Sequence, residues 1–279
     1  MEGLVSFIQR LEQKSKQIRN EVLDLCVKAG TGHLNSSFSC VEILVALYYG
    51  NYMKFNVCKH TDPSRDKFIL SKGQASPALY AILGDLNFFP KKELDYFAQT
   101  NGIFGVHLQH DVPGVEITSG SLGIGFGVAA GLALAHKLNR ESNLVFCLIG
   151  DGECYEGSIW EAAMFASHNR LNNLITIIDR NHLCATDFTE NIIALESLRD
   201  KWKSFNWDVV EIDGHDFNEI DLALKDVRCR KTQKPKIIIA NTIKGKGCSF
   251  ISNEPLWHGM APKGELAKIA KKELNQEDI

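Results

Sequence analysis

Apolar residues recur at helical spacing through Leu4, Phe7, Ile8, Leu11, Ile18, Val22, Leu25 and Cys26, and the run stops at Gly30. That spacing predicts a long amphipathic helix over 4–29, ended by glycine as helices commonly are. A loop of small polar residues around His33 (31–37) follows, then a second predicted helix at 40–49. The polar run 59–67 reads as a surface connection to a short strand at 68–70, and Pro77 suits the first turn of the next helix. No period holds from 99 to 118, where Gly102, Gly105, Pro113 and Gly114 accompany His107 and His110. Loops this long inside a compact domain are usually functional or mobile. A helix rich in small residues then starts at Gly120. It carries Gly125, Gly127 and Gly131, and because glycine lowers helix stability it is expected to be buried and held by close packing.

The middle of the chain has the clearest pattern. An apolar run, 144–149, enters the turn Gly150-Asp151-Gly152-Glu153-Cys154-Tyr155-Glu156-Gly157, which opens a helix-like segment at 158–168. A second strand pattern, 173–179, ends in Arg180-Asn181. Asp151 and Asn181 are 30 positions apart (181 minus 151), about the length of one βαβ unit. Helices at 196–206, 216–228 and 263–274 and strands at 207–212 and 236–241 follow, with a glycine-containing loop at 244–259. Alternation of this kind predicts an α/β fold: a doubly wound, mainly parallel sheet with helices on both faces. With no repeat or linker, residues 1–279 are expected to form a single domain.

Composition narrows the partners. The 279 residues are 44% apolar and carry a formal net charge of −3, so no concentrated basic face points to nucleic acid or an anionic membrane. No apolar run approaches the roughly 20 residues of a membrane span, and the N-terminus is too polar for a signal peptide. A cytoplasmic location is expected. The eight cysteines are scattered, without a C-x-x-C pair or zinc spacing. Cys26 and Cys147 read as small buried hydrophobes. Cys154 and Cys184 fall near the central turn but have no evident activating partner.

In open α/β sheets, ligands gather at the carboxyl ends of strands, where glycine turns and helix N-termini favour anions. Asp151 and Asn181 sit at two such ends and offer only oxygen donors. They point to a hard divalent cation, and Mg2+ suits them because it is often completed by phosphate oxygens and water.

The span from Gly150-Asp151-Gly152 to Asn181 resembles the thiamine diphosphate motif, and the chain as a whole resembles the N-terminal half of transketolase. The resemblance runs through Gly32-His33, Ser71-Lys72-Gly73, Pro113-Gly114-Val115-Glu116, Gly120-Ser121-Leu122-Gly123, Asp179-Arg180-Asn181, Lys244-Gly245-Lys246-Gly247 and Trp257-His258-Gly259. It implies that Asp151, the Asn181 side chain and the main-chain oxygen of Leu183 hold Mg2+, or Ca2+ or Mn2+ in its place, against the cofactor diphosphate. It further implies that Gly152 offers its N–H to the diphosphate, that Gly120 and Leu122 face the aminopyrimidine, and that Glu156 is a catalytic and cofactor-contacting residue near a subunit interface, linked to a proton network between paired sites. His33, His107 and His258 match positions over the thiazolium ring, where imidazoles suit proton movements on sugar hydroxyls and carbonyls. His110, His136, His168, His182 and His215 have no such match and read as structural or surface residues.

In this family the glutamate that activates the cofactor, and the arginines that hold a sugar phosphate, lie in a pyrimidine-binding domain beyond this sequence. The resemblance therefore implies one subunit of a split transketolase, completed by a separate C-terminal subunit, as a heterotetramer acting on sugars or sugar phosphates. One departure stands out: where the family has a histidine after Ser-Lys-Gly, this chain has Gln74, which can donate a neutral hydrogen bond but cannot carry a proton. That change bears on proton transfer at this cofactor-contacting corner or on the preference for the usual sugar phosphates, and suggests an unusual sugar. The α subunit of a 2-oxoacid dehydrogenase shares the metal motif, although Trp257-His258-Gly259 and the Gly32-His33 loop argue against it. A partner-binding paralogue without turnover is a third reading, for which Gln74 is the only hint.

Overall fold

The N-terminal apolar stripe forms α1 (Glu2–Ala29), followed by α2 (Leu34–Phe38) and α3 (Val41–Tyr49). These come from a computed structural model of the chain, which describes residues 2–100, 102–229 and 232–276. The alternating part contains β1 (Lys67–Leu70), α4 (Ser76–Asp85), α5 (Ile124–Leu138), β2 (Val145–Gly150), α6 (Gly157–His168), β3 (Leu174–Arg180), α7 (Thr189–Ile192) and α8 (Leu198–Ser204). It continues through β4 (Asp208–Asp213), α9 (Phe217–Cys229), β5 (Lys236–Asn241) and α10 (Glu265–Asn275). The strands form one parallel sheet in the order β1-β2-β3-β5-β4. Among the described residues, no helix is long and apolar enough to cross a membrane.

Strand alternation divides the core in two. Phe68, Phe146, Leu148, Ile175, Ile177 and Ile238 face α1, α3, α4 and α9, whereas Ile69, Cys147, Ile149, Leu174, Ile178 and Ile239 face α5, α6 and α8. The chain order explains this division. Steps from β1 to β2 to β3 to β4 move across the sheet in one direction, whereas the step from β4 to β5 turns back. Right-handed crossovers therefore leave α9 on the opposite face from α5, α6 and α8. β3 lies at the centre and is buried along its whole length, as suits a parallel strand covered on both faces.

Three expectations change. The polar loop at 31–37 contains a helical turn, α2, whose residues are all buried. The helix expected from Gly120 begins at Ile124, because Gly123 has φ +83° and cannot belong to it. That helix, α5, is also only half buried: Phe126, Ala129 and Ala133 pack inward, while Ile124, Gly127, Gly131 and Leu138 are exposed. A run of small residues fits a close contact but does not say on which sides the contact exists. As expected, Cys26 and Cys147 are buried, and burial pushes the Cys26 thiol up to about 12.

A buried ionic cluster fastens the N-terminal helices to the sheet. Arg19 of α1 makes a bidentate pair with Glu42 of α3 (2.5 and 2.6 Å) and also donates to the Phe38 carbonyl. His215 Nδ1 lies 3.0 Å from Glu42, and His215 Nε2 accepts from Ile243 N–H at 2.8 Å. Burial alone would raise the Glu42 pKa, but the Arg19 charge and the hydrogen bonds from His215 and Arg19 outweigh it and bring it to about 2. A carboxylate depressed in the folded protein contributes stability above its ordinary value, and that contribution is lost as pH falls through the folded value. Urea unfolding of the protein and of Glu42→Gln is therefore expected to differ by roughly 3 kcal/mol at pH 7. The gap should shrink steadily between pH 5 and pH 2, and a gap constant with pH would show that the cluster does not act through this charge.

Candidate functional site

Parallel pairing places Gly150 opposite Asp179, so the residues that follow β2 and β3 emerge side by side at the carboxyl edge of the sheet. A cavity of about 300 Å³ opens there. Of the residues singled out from the sequence, Gln74, Leu122, Asp151, Gly152, Glu156, Asn181, Leu183 and His258 line it. Gly120 lies just outside, against the His107 ring: a Cβ on Gly120 would come within 3.0 Å of it.

Asp151 is almost wholly buried. Its Oδ1 accepts from Gly152 N–H at 2.7 Å, and its Oδ2 accepts from His182 N–H at 2.6 Å and from Arg180 Nη1 at 3.1 Å. Burial, reinforced by the Asp179 charge, raises its pKa against the opposing pull of Arg180. The Gly152 N–H expected for a diphosphate thus serves the neighbouring carboxylate. Asn181 Oδ1 accepts from Leu183 N–H at 3.1 Å, and the Leu183 carbonyl accepts from Lys244 Nζ at 3.2 Å. Each of the three oxygen donors keeps lone-pair capacity beyond these bonds. Among the described residues no group of three or more His, Cys, Asp or Glu forms a metal cluster. The oxygen set here consists of one carboxylate, one amide and one peptide oxygen.

Sequence reasoning assigned no role to Lys72, Lys244 or Asp179, and all three are central. Asp179 is fully buried and accepts from Lys72 Nζ, Thr242 Oγ1, Ser39 Oγ (2.5 Å) and Asn181 Nδ2 (3.2 Å). Burial alone would raise its pKa, but the Lys72 charge and the Lys72, Ser39 and Thr242 hydrogen bonds lower it. Lys244 donates to the carbonyls of Leu183 and Cys184, and burial, helped by the Lys72 charge, lowers its pKa to about 8. A signal was available: both lysines follow a strand end, one inside Ser71-Lys72-Gly73 and the other at the head of Lys244-Gly245-Lys246-Gly247.

The turn after β2 is held by Glu153, another residue without an assigned role. Its carboxylate accepts from Ser71 Oγ, from Gly123 N–H at 2.8 Å and from Gly150 N–H at 3.0 Å. Glu156 is exposed at the start of α6 and reaches the cavity. Two glycines are required here. Gly123 combines φ +83° with Glu156 packed where its Cβ would be, and a Cβ on Gly152 would come within 2.7 Å of Cys184 Sγ. Burial raises the thiol pKa of both Cys154 and Cys184, which leaves them protonated and inert.

His33, His107 and His258, distant in sequence, meet at the cavity mouth. The His33 ring lies 5.0 Å from that of His107 and 5.1 Å from that of His258. Burial first and the His107 charge second lower His33 to about 4; burial and the Lys244 charge do the same for His258. Both are neutral near pH 7, and the Nδ1 atom of each is buried without a hydrogen-bond partner. The remaining histidines sit apart from this group: His110 and His168 are exposed, His136 pairs with Glu141, His215 joins the Arg19–Glu42 cluster, and the exposed His182 contributes only its backbone to Asp151.

The donor set fits a diphosphate with a hard cation. Two lysine ammonium groups converge on a cavity whose floor is a glycine turn, beside oxygen donors with spare lone pairs. Comparison with known proteins agrees on the diphosphate. The family model "Transketolase, thiamine diphosphate binding domain" matches residues 11–278. The chain is 41% identical over 268 residues to the 6-deoxy-6-sulfo-D-fructose transketolase subunit SqwG of Clostridium sp. (strain MSTE9), covering 96% of this chain and 97% of that one. It is 35% identical to an apulose-4-phosphate transketolase subunit of Phocaeicola vulgatus, covering 96% and 95%. The transketolase structure from Campylobacter jejuni superposes with a TM-score of 0.89 at 30% identity, covering 96% of this chain but 43% of that one. The chain therefore belongs to the transketolase family, to its thiamine diphosphate binding domain.

Proposed function

We propose that this chain is the thiamine diphosphate- and Mg2+-dependent subunit of a two-chain transketolase. The enzyme transfers a two-carbon glycolaldehyde unit from a ketose donor to an aldehyde acceptor, with a separate C-terminal subunit contributing the pyrimidine-binding domain, in a heterotetramer. The observation that carries this reading is the convergence of Asp151, Asn181, Lys72, Lys244 and His258 on one cavity. The two-chain arrangement is supported by relatives that are named as subunits and matched almost end to end.

Bound thiamine diphosphate supplies the nucleophilic carbon that carries the two-carbon unit. This chain's residues hold and orient. Asp151, Asn181 and the Leu183 carbonyl hold the cation, Lys72 and Lys244 face the diphosphate, and Gly120 and Leu122 border the aminopyrimidine. Glu156 lies at the subunit boundary. The neutral imidazoles of His33 and His258, with His107 beside them, accept and return protons at substrate hydroxyls.

Two relatives are named for sugars bearing a sulfo group or a phosphate, which supports a ketose with an anionic end as the donor. Gln74, on the cavity wall, offers the substrate a neutral amide.

Co-expression with the product of the adjacent open reading frame, assayed with thiamine diphosphate and Mg2+, should yield activity on ketose donors that neither chain shows alone. Full activity of this chain by itself would refute the two-chain reading, and turnover of a 2-oxoacid in place of a ketose would move it to the dehydrogenase α subunits. Changing Asp151→Ala should weaken Mg2+-dependent cofactor binding by about 100-fold or more, at the upper end of what a lost ligand shell costs; unchanged affinity by calorimetry would remove the cation site from Asp151. Replacing Gln74→His is expected to lower kcat/KM for the native donor about tenfold, equivalent to about 1.4 kcal/mol, with cofactor affinity preserved. Equal kcat/KM across a panel of ketoses would show that Gln74 does not read the substrate.

A further inference from the structure

Arg180 stands between Asp179 and Asn181, and its side chain is only 1% exposed. Strand alternation sends it to the opposite face of β3 from Asp179. There its guanidinium spreads over four acceptors. Nη1 donates to Asp151 Oδ2 at 3.1 Å and to Thr189 Oγ1 at 2.8 Å, and Nη2 donates to Glu190 Oε1 at 3.0 Å and Glu196 Oε1 at 2.7 Å. All four Nη protons are thereby used, and the planar fork fixes their directions.

Asp151 is held from three sides. A carboxylate offers about four lone-pair sites, and Gly152 N–H, His182 N–H and Arg180 occupy three of them. The two backbone donors are set by the turn after β2 and by the first residue after Asn181. Among the described residues Arg180 is the only side-chain donor to Asp151; with His182 N–H it fills Oδ2, which leaves the free lone pair on Oδ1. Its charge does not act alone either. Glu190 and Glu196 oppose it, so guanidinium and glutamates together carry −1, and Arg180 can sit beside a cation's carboxylate without repelling the cation on balance.

We propose that Arg180 is a positioning residue for the cation site: its guanidinium holds the Asp151 carboxylate in the orientation a divalent cation requires, with Thr189, Glu190 and Glu196 holding the guanidinium in turn. It acts through Asp151 and touches neither substrate nor cofactor. The inference rests on the reading that Asp151 and Asn181 hold the cation.

The test is calorimetric titration of Mg2+ into the full-length chain in the presence of thiamine diphosphate, with the ligand-free melting temperature measured for each variant. Arg180→Met should weaken Mg2+ at least tenfold, in the range that outer partners of metal ligands typically control. Its ligand-free melting temperature should fall, because the buried Asp151 loses its cationic partner, although the Glu190 and Glu196 side chains, 40% and 55% exposed, can hydrate. Arg180→Lys, which keeps the charge but not the fork, should recover only part of the affinity. Should Arg180→Met fold poorly, the combined Arg180→Met, Glu190→Gln, Glu196→Gln variant removes all three charges, and it should show the same loss of Mg2+ affinity. Wild-type affinity in Arg180→Met, or a loss of affinity no larger than its fall in melting temperature explains, overturns the proposal. If Asp151→Ala abolishes Mg2+ binding while Arg180→Met does not, only this inference fails. If the unaltered chain shows no Mg2+ binding with thiamine diphosphate, the cation-site reading fails and takes this inference with it.

Discussion

The Asp179 carboxylate, buried at the end of the central strand, is the constraint around which the ligand end of the molecule is arranged. An ionised carboxylate withdrawn from water is tolerable only when paired and hydrogen-bonded. Its partners come from four places: Ser39 between α2 and α3, Lys72 after β1, Asn181 after β3 and Thr242 after β5. One charge therefore ties together loops that leave three different strands, and breaking a pair of this kind typically costs about 3–5 kcal/mol. Lys72 also donates to the Ser36 carbonyl, which draws α2 onto the same anchor.

The two sides of this strand end divide the work. Toward α2 and α3, Asp179 gathers loops. Toward α5 and α6, Arg180 gathers carboxylates, and Glu153 binds the turn after β2 to Ser71 and Gly123. Charges of both signs are thus held at fixed places before any ligand arrives. In a partly dry cavity such fixed charges interact more strongly than they would in water. The neutral histidines at the mouth complete the arrangement with groups that add no charge at rest and gain one only while they hold a transferred proton.

Much of the site was legible because its signals are local. The strand, glycine turn and helix around Asp151 lie within one short stretch, and Asn181 follows at βαβ distance. The convergence of His33, His107 and His258 came from a family resemblance, since nothing in their spacing brings them together. The Lys72–Asp179 pair was not legible: 107 positions separate the two residues, and only the register of β1, β2 and β3 makes them neighbours. α2 was missed because a five-residue helix whose only apolar pair is Leu34 and Phe38 is too short to show a period. The burial of α5 was overstated for a different reason. Glycine and alanine show that something can approach closely, but not whether anything does.

The half-open α5 also has an energetic consequence. Gly127 and Gly131 have nothing within 4 Å of where a Cβ would be, so each gives up about 1 kcal/mol of helix propensity relative to alanine without gaining a contact in return. The helix is maintained by its inner face against β1, β2 and α6. Helix α5 is therefore expected to exchange its amides faster than the fully buried β3. Its first turn follows Gly123, whose N–H is held by Glu153, so α5 is joined at its start to the turn that shapes the cavity floor. Whatever covers the outer face of α5 would raise the protection of its amides by mass action, and would steady the cofactor turn without touching it.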